Sequence, residues 1–412
     1  MRDVLLDVSR LVWRAWRGGL PTGIDRVCLA YVEHFASRSQ AVVQRKGFQL
    51  VLSPSQSDRL FALLLSDEPA RRFELIMLFA MAGPTALGAK PRSGTIYLNV
   101  GHTGLNERSL PAWIARHRLR AVYLVHDLIP LTHPQFCRDG EAEKHGRRME
   151  NVLASAEGLI GNSQATLDEM TEFAQARGFS MPPSTVAWIS SDAATVRAKP
   201  LTLPRPHFIT VGTIEGRKNP LLLLDVWRKL VADLGDEAPV LLIVGQRGWQ
   251  AGSVFEQLDR LGELDSHVRE LPACDDEELA GWIAGARALL MPSFAEGFGL
   301  PIVEALRLGT PVIASNLPAL REIGRGIPTY ADPMDSGEWK GLVRDFTGDT
   351  PERARQLAQM VNFRAPTWTE HFATVEQWLT SLPSQPTNFG LNQQDTDVSG
   401  LPRRTSPDKG GE

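Results

Sequence analysis

The chain has 412 residues, which at roughly 150 residues per domain corresponds to two or three domains with sizeable buried cores. Apolar residues make up 43% of the chain and charged residues 22%, which excludes disorder throughout, and the formal net charge of −4 gives no signature of nucleic-acid binding. The three cysteines, Cys28, Cys137 and Cys274, lie far apart, so the sequence predicts neither a disulfide framework nor a paired-cysteine zinc site and fits a reducing cytoplasm.

No export signal or membrane-spanning segment is predicted. Asp3 and Asp7 interrupt the first apolar run, which a secretory signal would need intact. The longest uncharged stretch, residues 75–89, is shorter than the ~18 apolar residues that a spanning helix requires, and it contains Gly83 and Pro84. We therefore expect a soluble cytoplasmic protein or one that is peripheral at the inner face of the cytoplasmic membrane.

In the first half of the chain, short apolar segments alternate with longer amphipathic ones. The apolar segments are, in chain order, VLLDVS, QLVLS, TIYLNVG, AVYLVHD, GLIGNS and TVAWIS. Continuous apolar strands separated by helices are typical of parallel βαβ units whose sheet is covered on both faces. The pattern predicts an amino-terminal Rossmann-like domain over residues 1–190 and a proline-containing linker over residues 191–206.

The same alternation resumes after the linker. The predicted strands are HFITVG, PVLLIVG, HVRELP, ALLMPS and PVIAS, and the predicted helices lie near residues 220–234, 253–261, 275–286 and 318–322. These elements predict a second Rossmann-like domain over residues 207–365. Residues 383–412 contain few large apolar side chains and are predicted to be a disordered tail.

The predicted fold class is therefore α/β, with two doubly wound domains. Two such domains joined by a linker face one another across a cleft at the carboxyl ends of their sheets. Ligands of open α/β sheets bind at those ends. Function should be sought in that cleft.

The segment SFAEGFGLPIVEALRLGTPVIAS, which overlaps the end of the strand ALLMPS, carries the richest local chemistry. Gly297 and Gly299 allow the backbone to approach a ligand. Pro301 suits the first turn of a helix, and Gly309 suits its end. The free amides of such a helix start and the helix dipole together favour a bound phosphate.

Two glutamates accompany this phosphate-type loop, with Glu296 just before the glycines and Glu304 about one turn into the helix. We expect each to accept hydrogen bonds from neutral hydroxyls rather than to face the phosphate. Hydroxyls beside a phosphate indicate a sugar nucleotide. Taken singly, each glutamate has an alternative without a function: Glu296 as a loop residue and Glu304 as a residue on a solvated helix face. The prediction therefore depends on the pair.

The spacing in EGFGLPIVE, with the flanking MPS, EALRLGTPVIAS and LREI, resembles the signature of retaining family 4 glycosyltransferases of the GT-B fold. The resemblance covers residues 5–382, closely in the second domain and loosely in the first. It implies two Rossmann-like domains facing a cleft and a crossover helix, residues 366–382, that returns to the first domain.

The resemblance also implies roles for the residues of the motif. Glu296 is expected to engage the donor sugar, as a catalytic residue, and Glu304 to bind the nucleotide ribose. The implied donor-binding positions next to Glu296 are Gly297, Phe298, Gly299 and Leu300.

Further candidate positions follow from the same resemblance. Lys218, in VGTIEGRKNP, lies where the family places a lysine against the donor diphosphate, and its alternative is a solvated loop lysine. The family often has an arginine directly after Gly212, where this chain has Thr213, and Arg217 is the candidate to compensate. His126, in AVYLVHD, matches a family histidine near the donor sugar, with a structural strand-end histidine as the alternative.

The first strand is followed by a glycine-containing segment that resembles the family's loop near the acceptor and the phosphates. It contains Gly18, Gly19 and Gly23 and is predicted to precede the first helix. Arg26 is a candidate to meet an anionic acceptor, and its alternative is a surface arginine.

Aromatic and basic residues suit an anionic membrane surface, although tryptophans also pack against their own domain. The candidates are Trp13, Arg14, Trp16, Arg17, Arg116, His117, Arg118 and Arg120.

The favoured hypothesis is a retaining glycosyltransferase acting in polysaccharide biosynthesis. It would move a hexosyl group from a nucleotide-diphosphate sugar, with GDP-mannose as the first guess, to a hydroxyl of a saccharide or lipid-linked saccharide. The guess follows a resemblance to bacterial exopolysaccharide and lipopolysaccharide mannosyltransferases. No metal, other cofactor or nucleic-acid partner is expected. The rival hypotheses are a sugar-nucleotide epimerase of the same fold and a non-catalytic binding subunit.

Overall fold

The computed structural model describes residues 2–17, 22–66, 90–191, 198–248, 251–272 and 274–383. Several sequence-based predictions lie outside the described residues: those for residues 75–89, for Gly18 and Gly19, for residues 192–197 of the linker and for residues 384–412 of the tail. In the part of the chain that is described, no helix has both the length and the apolar composition needed to cross a bilayer.

The first sheet has seven described strands in the order β3-β2-β1-β4-β5-β6-β7. They are β1 Val4–Asp7, β2 Ser39–Arg45, β3 Phe48–Val51, β4 Ile96–Asn99, β5 Arg120–Val125, β6 Ala156–Gly161 and β7 Ser184–Val186. The six predicted strands are present, and β2 was not predicted. The sheet is parallel, as predicted, except at one edge, where β3 runs antiparallel to β2. Lys46 and Gly47 both have positive φ, 46° and 82°, which is the conformation of a two-residue hairpin turn.

Seven helices in the described residues accompany this sheet. They are α1 Ser9–Arg17, α2 Gly23–Phe35, α3 Pro54–Leu65, α4 Ser109–His117, α5 Ile129–Thr132, α6 Glu141–Ser155 and α7 Gln164–Ala176. The prediction of a glycine loop directly after the first strand is wrong, because α1 begins there. The carboxylate of Asp7 accepts the amide of Ser9 over 3.0 Å, and the buried side chains of Leu11 and Val12 attach the helix to the core.

The second sheet has six parallel strands in the order β10-β9-β8-β11-β12-β13. They are β8 His207–Val211, β9 Val240–Val244, β10 Val268–Leu271, β11 Leu289–Met291, β12 Val312–Ser315 and β13 Thr329–Ala331. The helices around it are α8 Pro220–Leu234, α9 Gly252–Leu258, α10 Asp276–Gly285, α11 Leu300–Arg307, α12 Pro318–Gly324, α13 Ser336–Thr347 and α14 Pro351–Met360. The elements predicted in this half are confirmed to within a few residues, whereas β13 was not predicted.

A final helix, α15 Trp368–Ser381, packs against the first domain, as the resemblance implied. Its His371 Nε2 lies 2.8 Å from the hydroxyl of Tyr31 on α2. A Cβ atom on Gly158 of β6 would lie 2.4 Å from the ring of Trp378, so the glycine makes room for the helix. The helix α15 therefore lies on the domain that contains β1.

The strand order in each sheet reverses once at a central position, between β1 and β4 in the first sheet and between β8 and β11 in the second. Loops that leave neighbouring strands in opposite directions open a crevice outside the carboxyl ends of the strands, and ligands bind there. The two crevices define where the functional site is to be sought.

Candidate active site

Two loops at the carboxyl edge of the second sheet form the centre of the site. One follows β8 and contains the short 3-10 turn Gly216–Lys218, and the other follows β11 and contains Glu296. The backbone amide of Phe294 donates to the carbonyl of Arg217 over 2.7 Å, which fixes one loop against the other. The site thus lies at the point where the strand order reverses.

The carboxylate of Glu296 is the hub of a charged network. Lys218 Nζ donates to Glu296 Oε1 over 2.9 Å, and the hydroxyl of Ser293 donates to the same oxygen over 2.8 Å. Arg217 Nη1 lies 3.1 Å from the other oxygen, and Arg217 Nη2 lies 2.8 Å from Glu215. Both cations are largely buried, with side-chain exposures of 17% for Lys218 and 20% for Arg217.

The charges of this network stabilise one another in a setting with little water. Burial alone would raise the pKa of Glu296, but Arg217 and Lys218 outweigh that effect and lower the pKa to about 2. Burial would lower the pKa of Arg217, but Glu296 and Glu215 raise it above its usual value. Burial raises the pKa of Glu215, against the opposing effect of Arg217. Glu296 is therefore ionised and Arg217 is charged near neutral pH.

The sequence analysis expected Glu296 to accept hydrogen bonds from the hydroxyls of a sugar nucleotide, and that stays a prediction. Within the protein, the partners of Glu296 are the hydroxyl of Ser293 and the two cations. The sequence pattern did not predict the ion pairs of Glu296, because Arg217 and Lys218 lie about eighty positions before it in the chain. They reach Glu296 only through the pairing of β8 with β11.

Gly212 and Thr213, at the end of β8, occupy different surroundings. Gly212 has a φ of 124°, and a Cβ atom there would lie 3.0 Å from Lys218 Cε, so the glycine leaves space for the lysine to reach Glu296. Thr213 directs its methyl group at Gly248, beyond the end of β9. Two cations nevertheless meet at the cluster, because Arg217 reaches it from the following turn.

The amino end of α11 faces the amino end of α2 across the cleft. Gly299, with a φ of 103°, directly precedes α11, and Pro301 lies in its first turn, as predicted. A Cβ atom on Gly23, the first residue of α2, would lie 3.7 Å from the side chain of Leu300. Phe298 buries its side chain in the core, so its contribution to a ligand site is through its backbone. The amino ends of two helices therefore converge, an arrangement that favours an anion between them.

Glu304 lies on the buried face of α11. The hydroxyl of Ser191, on the chain that leaves the first domain, donates to its carboxylate. Burial raises the pKa of Glu304, and the Ser191 hydrogen bond opposes that rise. The hydroxyl of Ser191 belongs to the protein, so the hydroxyls of a sugar nucleotide that were expected at Glu304 stay a prediction.

Arg26 of α2 lies at the same cleft and not on an outer surface. Its Nη2 atom is 2.7 Å from Asp276 at the start of α10, so the two residues form an ion pair between the domains. The side chains are 38% and 47% exposed, so the pair contributes little to stability. The ion pair places Arg26 in the cleft, where it adds a positive charge near Glu304.

His126 meets the donor loop through its backbone. A Cβ atom on Gly297 would lie 2.2 Å from the carbonyl of His126, so the glycine is required by the close approach of the opposite domain. The ring Nε2 of His126 lies 2.7 Å from the carbonyl of Val100 and therefore carries a proton. Burial lowers the pKa of His126 to about 4, against the effect of that hydrogen bond. The imidazole is neutral near pH 7, with Nδ1 as its acceptor.

Three groups of contacting residues were missed by the sequence analysis. The buried Asp25 binds both Arg10 and Arg14 of α1, and the spacing of Thr22 and Asp25 is a capping-box signal that could have located it. Ser163, which caps α7, donates from its hydroxyl to the carbonyl of Gly297 over 2.8 Å. This contact joins the two domains at the donor loop.

The third missed group centres on Glu322 of α12, inside the quoted LREI. Its carboxylate accepts the backbone amides of Gln164 and Ala165 at the start of α7, over 2.9 and 3.2 Å. It also accepts the indole N–H of Trp188 over 2.7 Å. No local sequence signal marks this contact, because it depends on how the two domains meet.

Among the residues that the structure describes, no cluster of three histidine, cysteine, aspartate or glutamate side chains has the arrangement of a metal site. The charge at the candidate site is carried by Arg217 and Lys218.

Comparison with known proteins identifies the family. Residues 193–354, which contain the Lys218–Glu296 cluster and Glu304, match the model of the glycosyl transferases group 1 family. The O-antigen chain mannosyltransferase B of Escherichia coli is 30% identical over 270 residues, which cover 61% of this chain and 69% of that protein. The chain belongs to the group 1 glycosyltransferases. It is therefore an enzyme that transfers sugars.

Other members of this glycosyltransferase family match smaller shares of their own length. The serotype-specific mannosyltransferase WbdA of E. coli is 26% identical over 64% of this chain, but the match spans 33% of WbdA. The D-inositol 3-phosphate glycosyltransferase of Streptomyces bingchenggensis is 29% identical over 58% of this chain and 52% of that protein.

Solved structures establish the GT-B fold of this glycosyltransferase. Anabaena HepE in complex with UDP and glucose superposes with a TM-score of 0.65 at 17% identity, covering 93% of this chain and all of that one. Sucrose-phosphate synthase from Thermosynechococcus elongatus superposes with a TM-score of 0.60 at 17% identity, covering 93% and 99% of the two chains. The predicted fold class is thus confirmed.

Proposed function

We propose that this glycosyltransferase is a retaining mannosyltransferase that uses a nucleotide-diphosphate mannose, GDP-mannose in the first instance, as donor. The acceptor is a hydroxyl of a saccharide or lipid-linked saccharide. The choice of mannose rests on the relative named O-antigen chain mannosyltransferase B and on WbdA. The observation that carries the proposal is the cluster of Arg217, Lys218 and Glu296 beside the amino end of α11.

The cluster supplies positive charge where a leaving diphosphate needs it. Arg217, Lys218 and the free amides at the start of α11 stabilise negative charge that grows on the diphosphate as the bond to the sugar breaks. A preorganised charge in a buried site is worth more than the same charge in water, because no solvent has to reorganise. Glu296 holds both cations in place and, through its position beside Gly297, orients the sugar.

The nucleotide portion is assigned to the part of α11 that carries Glu304, one turn after the amino end of the helix. Glu304 binds the ribose hydroxyls, and Ser191 fixes the orientation of its carboxylate. Arg26, together with the amino end of α2, completes the site from the first domain. His126 is neutral and offers Nδ1 as an acceptor for a sugar hydroxyl.

In the proposed retaining step, the acceptor hydroxyl attacks the anomeric carbon on the face from which the diphosphate leaves. The bond between the anomeric carbon and the phosphate oxygen breaks as the new glycosidic bond forms. The released phosphate oxygen takes the proton of the acceptor hydroxyl, so that charge and atoms balance without a protein nucleophile. The oxocarbenium-like centre between the two bonds requires the close positioning that the cleft provides.

The mechanism needs no metal ion, because the two cations and the helix amides supply the positive charge. Activity should therefore survive chelation by EDTA. Complete loss that manganese or magnesium restores would overturn this part of the proposal.

The experiment that tests the function is a donor panel of UDP- and GDP-linked sugars, scored by released nucleotide with and without saccharide acceptors. We expect GDP-mannose to release the most nucleotide and the product to keep the α-configuration in its nuclear magnetic resonance spectrum. Release of nucleotide with an isomerised free sugar and no acceptor would support the epimerase instead. Absence of nucleotide release from every donor in the panel would support a binding subunit.

A further inference from the structure

Two phenylalanine rings from different domains stack on one another beside the candidate site. Phe136 lies in a 3-10 turn, Pro134–Phe136, between α5 and α6 of the first domain, and Phe294 lies in the loop that follows β11 of the second. The ring centres are 5.2 Å apart and the ring planes differ by 7°. This is the geometry of an offset parallel stack, which is favourable beyond the apolar area that it buries. The stack is therefore a direct contact between the domains.

The first domain presents the Phe136 ring in a fixed orientation. The ring of His133 lies nearly parallel to it, with 6.4 Å between the centres and 18° between the planes. The backbone amide of Phe136 donates to the carbonyl of His133 over 3.1 Å, which closes the turn. Burial raises the pKa of the Cys137 thiol, and the charges of Glu215 and Arg217 act on it in opposite directions. The turn therefore lies close to the charged network of the second domain.

The Phe294 ring belongs to the loop that carries Glu296. The backbone amide of Phe294 donates to the carbonyl of Arg217 over 2.7 Å, and Arg217 Nη1 donates to the carbonyl of Ala295 over 2.9 Å. On the other side of the ring, the hydroxyl of Ser293 donates to Glu296 over 2.8 Å. These bonds tie the backbone around the ring to the charged network, so a displacement of the ring displaces the loop.

The first domain also contacts the loop just after Glu296. The carbonyl of Gly297 accepts the hydroxyls of Ser163 and Thr166 over 2.8 and 3.3 Å. Glu296 thus lies between two contacts with the first domain, an aromatic contact at Phe294 and a polar contact at Gly297. A segment that is held at one end can still turn about that end, so the stack supplies the second point of support.

We propose that Phe136 is a positioning residue for sugar transfer, which holds the Glu296 loop in its productive arrangement by stacking on Phe294. The inference rests on the proposed function in one respect, the assignment of Glu296 to the donor sugar. A small misplacement of a group that orients the reacting atoms lowers the rate of the chemical step, even when the substrate still binds. Because the two rings come from different domains, the loop has this support only while the domains are together.

The test is steady-state kinetics with the donor that releases the most nucleotide in the panel. Phe136→Ala should lower kcat about tenfold and leave the donor KM within about twofold, because the stack does not touch the part of α11 to which the nucleotide is assigned. Phe136→Tyr keeps the flat ring and should restore kcat. Phe136→Leu keeps an apolar side chain without a ring and should stay well below the wild type. Calorimetric titration with the nucleoside diphosphate of that donor should give the same Kd for all these variants.

A double-mutant cycle tests whether Phe136 acts through Phe294. The loss of kcat in the double variant Phe136→Ala, Phe294→Ala should be smaller than the product of the two single losses, by about twofold to tenfold, which is the scale of one aromatic pair. Phe173→Ala is the matched control, because Phe173 is a partly buried phenylalanine on α7 whose ring packs against Arg177 of the same domain. It should keep the kcat of the wild type.

Three results would overturn the inference. They are a wild-type kcat in Phe136→Ala, single losses that multiply in the double variant, and a Phe136→Leu variant as active as Phe136→Tyr. A kcat loss in Phe173→Ala as large as that in Phe136→Ala would also contradict it, because the loss would then reflect general destabilisation. The donor panel with wild-type protein tests the proposed function, whereas these variants are compared with one another on the same donor. Failure of the inference is therefore distinguished from failure of the proposed function.

Discussion

At the scale of single residues, Glu296 connects the two loops of the site by holding Lys218 with one oxygen and Arg217 with the other. A carboxylate with a pKa near 2 stays ionised across the range in which enzymes of this kind are assayed. It therefore contributes no step to the pH profile. Because Glu296 holds the two cations in place, substitution of a cation is the direct test of charge stabilisation at the site.

We expect Lys218→Ala to lower kcat by roughly 10²-fold, because it removes one preorganised charge that faces the leaving diphosphate. Arg217→Ala should lower kcat as well, while Lys218→Arg should restore part of the loss. Steady-state kinetics on folded variants measure both effects, and Lys229→Ala, an exposed lysine paired with Asp225 on α8, is the matched control. An increase in KM with unchanged kcat would make Lys218 a donor anchor only.

Glu304→Gln should act differently, because an interaction made equally in the ground and transition states changes KM rather than kcat. We expect the donor KM to rise roughly tenfold or more, on the scale of a hydrogen bond to a charged group, with kcat nearly unchanged. Ser191→Ala keeps the carboxylate and removes only its partner, so its effect on KM should be smaller. A kcat defect in Glu304→Gln as large as that of Lys218→Ala would contradict the assignment to the ribose.

The sequence located the motif residues because their spacing is local. Glu296, Glu304 and the glycines between them lie within one loop and one helix, and Lys218 follows a recognisable strand. Asp25 and Ser163 were missed because their partners are brought close only by folding. Asp25 forms a buried ion pair, and Ser163 contacts the other domain, and the spacing of neighbouring residues indicates neither contact. The residue types at Thr22 and Ser163 predict the starts of two helices, but they do not predict which residues these helix starts contact.

At the scale of elements, α7 and α12 meet through Glu322, whose carboxylate neutralises the positive end of the α7 dipole from the opposite domain. Ser163, at the same helix start, binds the carbonyl of Gly297 in the donor loop. The start of α7 thus touches both the loop beside Glu296 and the second domain. The relative position of the two domains is in this way linked to the geometry of the site.

We expect Glu322→Gln to raise the donor KM several-fold and to leave kcat within about twofold, because a charge at a helix end contributes roughly 1 kcal/mol to the closed arrangement. Small-angle scattering should show a larger radius of gyration for this variant. Glu352→Gln, which disrupts an ion pair within the second domain, is the control. An unchanged KM and an unchanged radius would mean that Glu322 does not hold the domains together.

Element prediction succeeded where apolar runs were continuous and missed two strands, β2 and β13. β1, β4, β5 and β6 are buried on both faces and read as apolar runs. β2 reads as SQAVVQR, with polar residues at both ends, and β13 has three residues, too few for a pattern. β3 runs antiparallel to β2 because Lys46 and Gly47 form a tight turn between the two strands. A single glycine in the sequence was not enough to predict that turn.

At the scale of the whole molecule, buried histidines tie stability to pH. Burial lowers the pKa of His371 to about 4 and that of His126 to about 4, from 6.5. Between these values the unfolded chain binds protons that the folded chain does not, so stability falls as pH decreases from about 6.5 to about 4. The contribution of Glu296 runs in the same direction, but it is lost only as pH falls from about 4.5 to about 2.

The free energy of unfolding should therefore decrease from pH 7 to pH 4, with a slope of up to about 1.4 kcal/mol per pH unit for each buried histidine. His371→Gln should reduce that slope by the contribution of about one bound proton, because the unfolded variant lacks the group that takes it up. Urea unfolding at a series of pH values measures the slope. His133→Gln, on a partly exposed turn, should change it less. Equal slopes for His371→Gln and the wild type would show that His371 is protonated in the folded protein.

The return of α15 to the first domain means that the chain crosses between the domains twice, and the two crossings touch. The hydroxyl of Ser190 on the outgoing chain donates to the carbonyl of Pro366 on the returning chain over 2.9 Å. Two crossings that meet at one place hold the two domains together there, so an opening of the cleft should separate them least beside Ser190 and Pro366 and most at the opposite side. A pair of fluorophores placed across the mouth, and a second pair placed beside the crossings, would measure that difference.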